Sequence, residues 1–179
     1  MPLLDRNGWK TDEWVRAEDL FTDTDTDTAP ARDEREVSAL LVPVEALPGA
    51  IERRAADQRI GVELPNSFHP SQLAPVQDRL DLVAIQFPKW NDGRGFTLAR
   101  LLRQQGYEGT IRAVGPLIPD HFLFALECGF DEIEIGEAQA QRTPIEQWLA
   151  QLDLVEVSYQ QSGERKSILE MRRAARSVA

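Results

Sequence analysis

The sequence is poor in the residues that most often carry chemistry. Its 179 residues include one cysteine, Cys128, and two histidines, His69 and His121. A single cysteine excludes an intrachain disulfide framework, a four-cysteine zinc site and an iron–sulfur cluster held by this chain alone. Two histidines and one distant cysteine make no metal-ligand spacing, so no metal site is expected. Long apolar runs are also missing. No stretch approaches the roughly 20 residues of a membrane-spanning helix, and Met1-Pro2-Leu3-Leu4-Asp5 lacks the basic-then-apolar pattern of a secretory leader. The expected location is the cytoplasm, with no membrane partner. Positive charge is scarce as well: 20 Lys+Arg stand against 30 Asp+Glu, a net charge of −10. Phosphate backbones require a clustered positive face, so nucleic acid is not an expected partner.

What is present is the balance of an ordinary globular chain, with 42% apolar and 28% charged residues. The length suits one α/β domain, expected over residues 1–160, with an acidic linker at about 22–36 and a basic tail at 161–179. The charge is uneven. Residues 1–36 carry a net −6, residues 37–160 a net −7, and residues 161–179 a net +3. The head contains the alternation Thr22-Asp23-Thr24-Asp25-Thr26-Asp27-Thr28. Its carboxylates are hard oxygen ligands, but the glycine and closing glutamate of a calcium loop are absent, and the stretch reads as a solvated, self-repelling linker. Before it, Leu3-Leu4, Gly8-Trp9 and Trp14-Val15 predict a small N-terminal hairpin whose tryptophans pack on the body.

The middle alternates strand and helix. Strands are expected at Val37–Val44, Arg59–Leu64, Asp81–Phe87, Thr110–Val114 and Glu132–Ile135, with a short final one at Val155–Tyr159. Helices are expected at Ala46–Asp57, Pro70–Leu80, Phe96–Gln105, Pro119–Cys128 and Thr143–Leu152. Pro119 at a first turn and Gly129 just past a last turn follow the usual asymmetry of helix ends. The fold class is therefore α/β, a mostly parallel sheet of about five strand–helix units. Two arrangements fit: an open doubly wound sheet or a partial (β/α) barrel. Both place ligands at the carboxyl ends of the strands.

Those strand exits hold the candidate site. Phe87-Pro88-Lys89-Trp90-Asn91-Asp92-Gly93-Arg94-Gly95-Phe96-Thr97 sets cations and two glycines directly before a helix. Glycines allow close backbone approach, and a helix amino end favours an anion. Residues 82–115 hold Lys89, Arg94, Arg100, Arg103 and Arg112 against Asp92 and Glu108, a local net of +3 in an acidic chain. Candidate anion- or cofactor-binding residues are Lys89, Gly93, Arg94, Gly95, Arg100, Arg112, Asp120 and His121. Candidate catalytic residues are Asp92, as acid/base, and Arg94. The same residues also read as a plain turn, with Asp92 or Thr97 capping the helix and Arg94 bridging to Asp92 or Asp120. Arg112, inside a strand, needs a carboxylate partner, for which Asp92 and Asp120 are candidates. Gly93-x-Gly95 lacks the third glycine of a dinucleotide fingerprint, and no Walker pattern occurs. His69 and His121 lie at strand exits or helix starts as further acid/base candidates. Cys128, beside a helix-ending glycine, reads as a core residue.

Phe87-Pro88, Asp92-Gly93-Arg94-Gly95-Phe96-Thr97, Ala99-Arg100-Leu101-Leu102-Arg103, Arg112-Ala113-Val114-Gly115, Asp120 and Cys128-Gly129-Phe130-Asp131 together resemble the bacterial domain of unknown function 934 family. The resemblance runs from the tryptophan-containing head through Ser158-Tyr159-Gln160. Members of that family carry the label of probable oxidoreductases involved in sulfite reduction. The resemblance thus implies an accessory protein of assimilatory sulfite or sulfate reduction, with a sulfite reductase or its electron donor as partner. It names no cofactor, and any redox centre would have to be borrowed. The sequence departs from the family pattern at Pro116 and His121, where polar residues and a glutamine are expected, and at Leu126-Glu127, where a more basic segment is expected. Two other classes remain open: an independent (β/α)-type enzyme acting on a small anionic substrate through Lys89, Asp92, Arg94 and Arg112, and a non-catalytic binding module.

Overall fold

A computed structural model describes residues 1–20 and 34–153. Its strands are β1 (Leu3–Asp5), β2 (Gly8–Lys10), β3 (Val15–Arg16), β4 (Ala39–Pro43), β5 (Arg59–Pro65), β6 (Leu82–Gln86), β7 (Thr110–Val114) and β8 (Glu132–Glu134). Its helices are α1 (Leu47–Arg53), α2 (Arg94–Gln104), α3 (Phe122–Cys128), α4 (Glu137–Arg142) and α5 (Ile145–Asp153). The strands form one sheet in the order β2-β1-β8-β7-β6-β5-β4-β3. From β3 to β8, spatial neighbours are sequence neighbours and every pair is parallel. That order never reverses, which excludes the doubly wound arrangement. Right-handed crossovers without a reversal put the helices on one face, and the sheet is a curled half-barrel.

The sheet is mostly parallel, as expected, but it is mixed and has eight strands, because the N-terminal hairpin adds two antiparallel pairings. The N-terminal hairpin forms, with Leu4 opposite Trp9. It then joins the main sheet, because β1 pairs antiparallel with β8 through Leu4 and Ile133. Consequently β2 and β3, consecutive in the chain, lie at opposite edges of the sheet. The link between them is Thr11–Trp14. Five residue steps, from Lys10 to Val15, reach at most about 18 Å. Eight strands laid flat would separate those edges by about 34 Å. The short link therefore demands that the sheet curl, and it crosses the concave side as a strap.

Alternation along each strand sorts side chains between the two faces. Leu40, Val42, Ile60, Val62, Leu64, Val83, Ile85, Ile111, Ala113 and Ile133 belong to the main core, at most 2% exposed. They pack with Leu47, Ala50 and Ile51 of α1, Phe96, Leu98, Ala99 and Leu102 of α2, Phe122 and Ala125 of α3, and Trp148 of α5. Each of the Val, Leu, Ile and Phe side chains among them contributes about 1.5–3 kcal/mol on burial. The concave face has a smaller apolar cluster of Leu41, Leu82 and Ala84, with Trp14 and Val114 against it. Trp14 fits because Gly61 has no side chain: a Cβ there would lie 3.0 Å from the indole. The Arg59 guanidinium sits 5.3 Å from the same ring.

Several elements differ from expectation. Residues 70–80 form no α-helix but two short 3-10 turns, Pro70–Gln72 and Gln77–Arg79. Pro75 lies between them, where it lacks the N–H a continuous helix would use. The segment after Pro119 starts as a 3-10 turn before α3, which Gly129 closes in the left-handed region at φ 105°. The helix expected at 46–57 shortens to α1, and α4 was not foreseen. Trp9 is exposed, whereas Trp14 packs. Residues 155–159, the tail at 161–179 and most of the acidic linker lie outside the described residues.

If Trp14 anchors the strap, Trp14→Ala should lower unfolding stability by about 3 kcal/mol. The exposed control Trp9→Ala should change it by no more than about 0.5 kcal/mol. Urea unfolding monitored by circular dichroism distinguishes the two. Equal effects would refute the anchoring role.

Candidate functional site

The concave face of the half-barrel carries a closed set of ion pairs. Arg112 of β7 is 1% exposed and lies in register with Glu132 of β8. Its Nε–H donates to Glu132 at 2.8 Å, and its terminal nitrogens donate to Glu134 at 3.0 Å and to both oxygens of Asp12 at 2.7 and 2.8 Å. Arg16 of β3 donates to both oxygens of Glu134 at 2.8 and 2.9 Å and reaches Glu63 at 3.4 Å. Lys10 completes Glu132 at 2.6 Å, and the Gln86 amide donates to Glu63 at 2.8 Å. Burial alone would lower the Arg112 pKa, but the hydrogen bonds to Asp12 and the fields of Glu132 and Asp12 raise it well above its ordinary value. Burial would raise the Asp12 pKa, yet its bonds to Arg112 hold it below the usual carboxylate range. Arg16 is likewise raised, against its own burial, by Glu134 and Glu63.

Two cavities flank this network. One, of about 240 Å³, opens at the carboxyl ends of β4–β6 and is lined by Arg16, Glu18, Glu45, Glu63 and Gln86 among others. The other, of about 310 Å³, lies at the amino ends beneath the strap, between Lys10, Asp12, Arg59, Asp81 and Thr110. In the first, Arg16 and Glu63 are already engaged with each other and with Glu134 and Gln86. In the second, Lys10, Asp12 and Arg59 are held by Glu132, Arg112 and Glu13.

The strand-exit loop singled out by the sequence lies outside both cavities. Lys89, Gly93 and Arg94 are exposed. Arg94 turns back on Asp92, donating from its guanidinium at 3.0 and 2.7 Å and from its backbone N–H at 3.3 Å. The Arg94 bonds, with a contribution from the Asn66 side chain, hold Asp92 far below the usual carboxylate range. Asp92 thus caps α2 and neutralises Arg94. Gly95 and Gly115 serve packing around Phe87: a Cβ on Gly95 would collide with the Phe87 ring, and one on Gly115 with its carbonyl. Gly115 also holds φ at +135°, a region open to glycine. Arg100 is exposed on α2, and Asp120 is exposed before α3.

Arg112 takes neither Asp92 nor Asp120 as partner. It points into the concave face toward Asp12, Glu132 and Glu134. His121 packs with Trp90, ring centroids 6.2 Å apart, and edge-on to Phe96 at 5.8 Å. Burial lowers its pKa, opposed by Asp120. His69 is exposed and bonds Ser71 at 2.7 Å. Cys128 is buried, which pushes its thiol pKa up. The structure therefore gathers Lys89, Asp92, Gly93 and Arg94 on one exposed loop, sets His121 beside it, and separates Arg112 from them. Sequence reasoning missed Asp12, Arg16, Glu63, Glu132 and Glu134. The charged alternation Glu132-Ile133-Glu134 was the available signal, because alternate residues of a strand share one face.

Fold and interior together define a half-barrel of (β/α) type with an ion-paired inner face and an N-terminal strap. The sequence profile of the family described as "Bacterial protein of unknown function (DUF934)" matches residues 61–169, and the chain belongs to that family. A search of curated proteins returns no match. The matched stretch supplies Glu63, Arg112, Glu132 and Glu134, whereas Lys10, Asp12 and Arg16 precede it.

Arg112→Ala leaves Glu132 and Glu134 buried without their shared cation and should cost about 3–5 kcal/mol in chemical denaturation. Asp12 contributes stability that is complete above its unfolded pKa of about 4 and is lost as pH falls through its lower folded pKa. The stability gap between the native chain and Asp12→Asn should therefore narrow on acidification. A gap independent of pH would refute the pairing.

Proposed function

We propose that this protein is a cytoplasmic accessory factor of assimilatory sulfite reduction, acting by contact with a sulfite reductase or its electron donor. The pathway rests on the resemblance of the loop motifs to a family whose members carry that label. What favours an accessory role over turnover by this chain is the engagement of its candidate acid/base group. Asp92 is committed to Arg94 on an exposed turn, outside either cavity. A general acid or base must be within reach of substrate and able to exchange its proton near the working pH. The bonds from Arg94 lower the Asp92 pKa, which moves it away from the second condition.

A second reading, binding of a small anion or a cofactor phosphate, is favoured by α2. The exposed Lys89 precedes it, and a bound anion would compete with the Asp92 carboxylate, which already accepts from the first backbone N–H of the helix. An upward thermal shift with sulfite, sulfate, adenylyl sulfate, flavin or nicotinamide nucleotide, abolished by Lys89→Ala, would support this reading. No shift with any of them would remove it.

The accessory role predicts that deletion of the gene slows or stops growth on sulfate as sole sulfur source, and that sulfide or cysteine restores it. Undiminished growth of the deletion strain on sulfate would refute the pathway assignment.

A further inference from the structure

Among the described residues, the large apolar side chains that stand exposed are Met1, Trp9, Trp90, Leu101 and Phe124. Two of them gather on one face. Trp90, 55% exposed, follows β6, and Phe124, 50% exposed, lies on α3. They are joined through a chain of rings: Trp90 to His121 at 6.2 Å, His121 to Phe96 at 5.8 Å, and Phe96 to Phe124 at 5.0 Å. The loop after β6, which runs into α2, and the start of α3, some thirty residues further on, are joined here through the buried Phe96 ring. The His121 ring packs between Trp90 and Phe96, and burial lowers its pKa against the field of Asp120.

Neither of the two concave-face cavities lies at this face. Small-molecule sites are concave, whereas exposed aromatic side chains are enriched as anchors between proteins. The charge around the rings indicates which protein. Lys89, Arg94 and Arg100 border the face together with Asp92, Asp120 and Glu127. Arg94 and Asp92 already neutralise each other, and Lys89 and Arg100 balance Asp120 and Glu127, on a chain whose overall charge is −10. Two copies repel each other over most of an acidic surface, and they meet at low electrostatic cost where the charge is locally balanced. A two-fold contact also sets a patch against itself, so a border carrying both signs can pair with its own image.

We propose that this face is the contact surface of a homodimer, with Trp90 and Phe124 at its centre and the mixed charges at its rim. The inference does not depend on the sulfur-assimilation reading. Sedimentation velocity and light scattering on the full chain, up to about 200 μM, span the affinity of a modest dimer. The expected result is a concentration-dependent dimer. Trp90→Ala and Phe124→Ala should each weaken it by at least about tenfold. Lys89→Glu should weaken it less, and Trp9→Ala, at an exposed tryptophan elsewhere, should leave it unchanged. Circular dichroism and urea midpoints establish that each variant is folded, and Phe124→Ala carries the test if Trp90→Ala is not. A chain that remains monomeric throughout this range overturns the proposal and leaves the face to a different protein. So does a dimer indifferent to both ring substitutions, or one weakened equally by Trp9→Ala.

Discussion

The connection between β2 and β3 constrains everything else in this molecule. Thr11–Trp14 must join the two outer edges of an eight-stranded sheet, and a chain this short allows it only if the sheet curls. The curl creates a concave interior, and the strap that imposes it also crosses that interior. Asp12 is thereby delivered to the inner face of β7, where Arg112 would otherwise face Glu132 and Glu134 with part of its guanidinium unmatched. Trp14 is delivered to Gly61, where the missing side chain leaves room for an indole. Curvature, buried charge and strap are one mechanical unit.

The buried ion network follows from this closure. Lys10, Arg16 and Arg112 face Asp12, Glu63, Glu132 and Glu134. Removing charges from water is costly, and such groups persist inside a fold only when each finds partners with good geometry. Here the partners come from both edges and the centre of the sheet, so the pairs tie both edges of the half-barrel to its centre. The interior of many (β/α) folds is a setting for ligands at its carboxyl end. In this chain the central charged positions bind one another. On the outer rim, Trp90 and Phe124 stand exposed and are joined through His121 and the buried Phe96, beside the Asp92–Arg94 turn.

Much of this was legible from local pattern. The apolar runs at β4, β6 and β7 and the helix containing Ala99 and Leu102 stand close to where periodicity puts them, because strand and helix repeats depend on residues a few positions apart. Gly129 ends its helix as expected. The reading of residues 70–80 failed where Pro75 broke an otherwise helical composition. Arg112 was recognisable as a strand residue in need of a carboxylate, and the Asp92–Arg94 pair was recognisable as a turn. The partners of Arg112 were not recognisable, since Asp12 lies 100 residues away along the chain.

The sequence by itself determined the alternation of strands and helices, the alternation of charged with apolar residues along β7 and β8, and the cap that starts α2. These are set by covalent geometry and near-neighbour chemistry. Only the tertiary structure decided that β2 and β3 are opposite edges, that Asp12 rather than Asp92 neutralises Arg112, and that Trp90 and Phe124 share a face. Those outcomes depend on how the chain path closes over distances that no local pattern encodes. A carboxylate pairs with whichever guanidinium the backbone brings within hydrogen-bond reach.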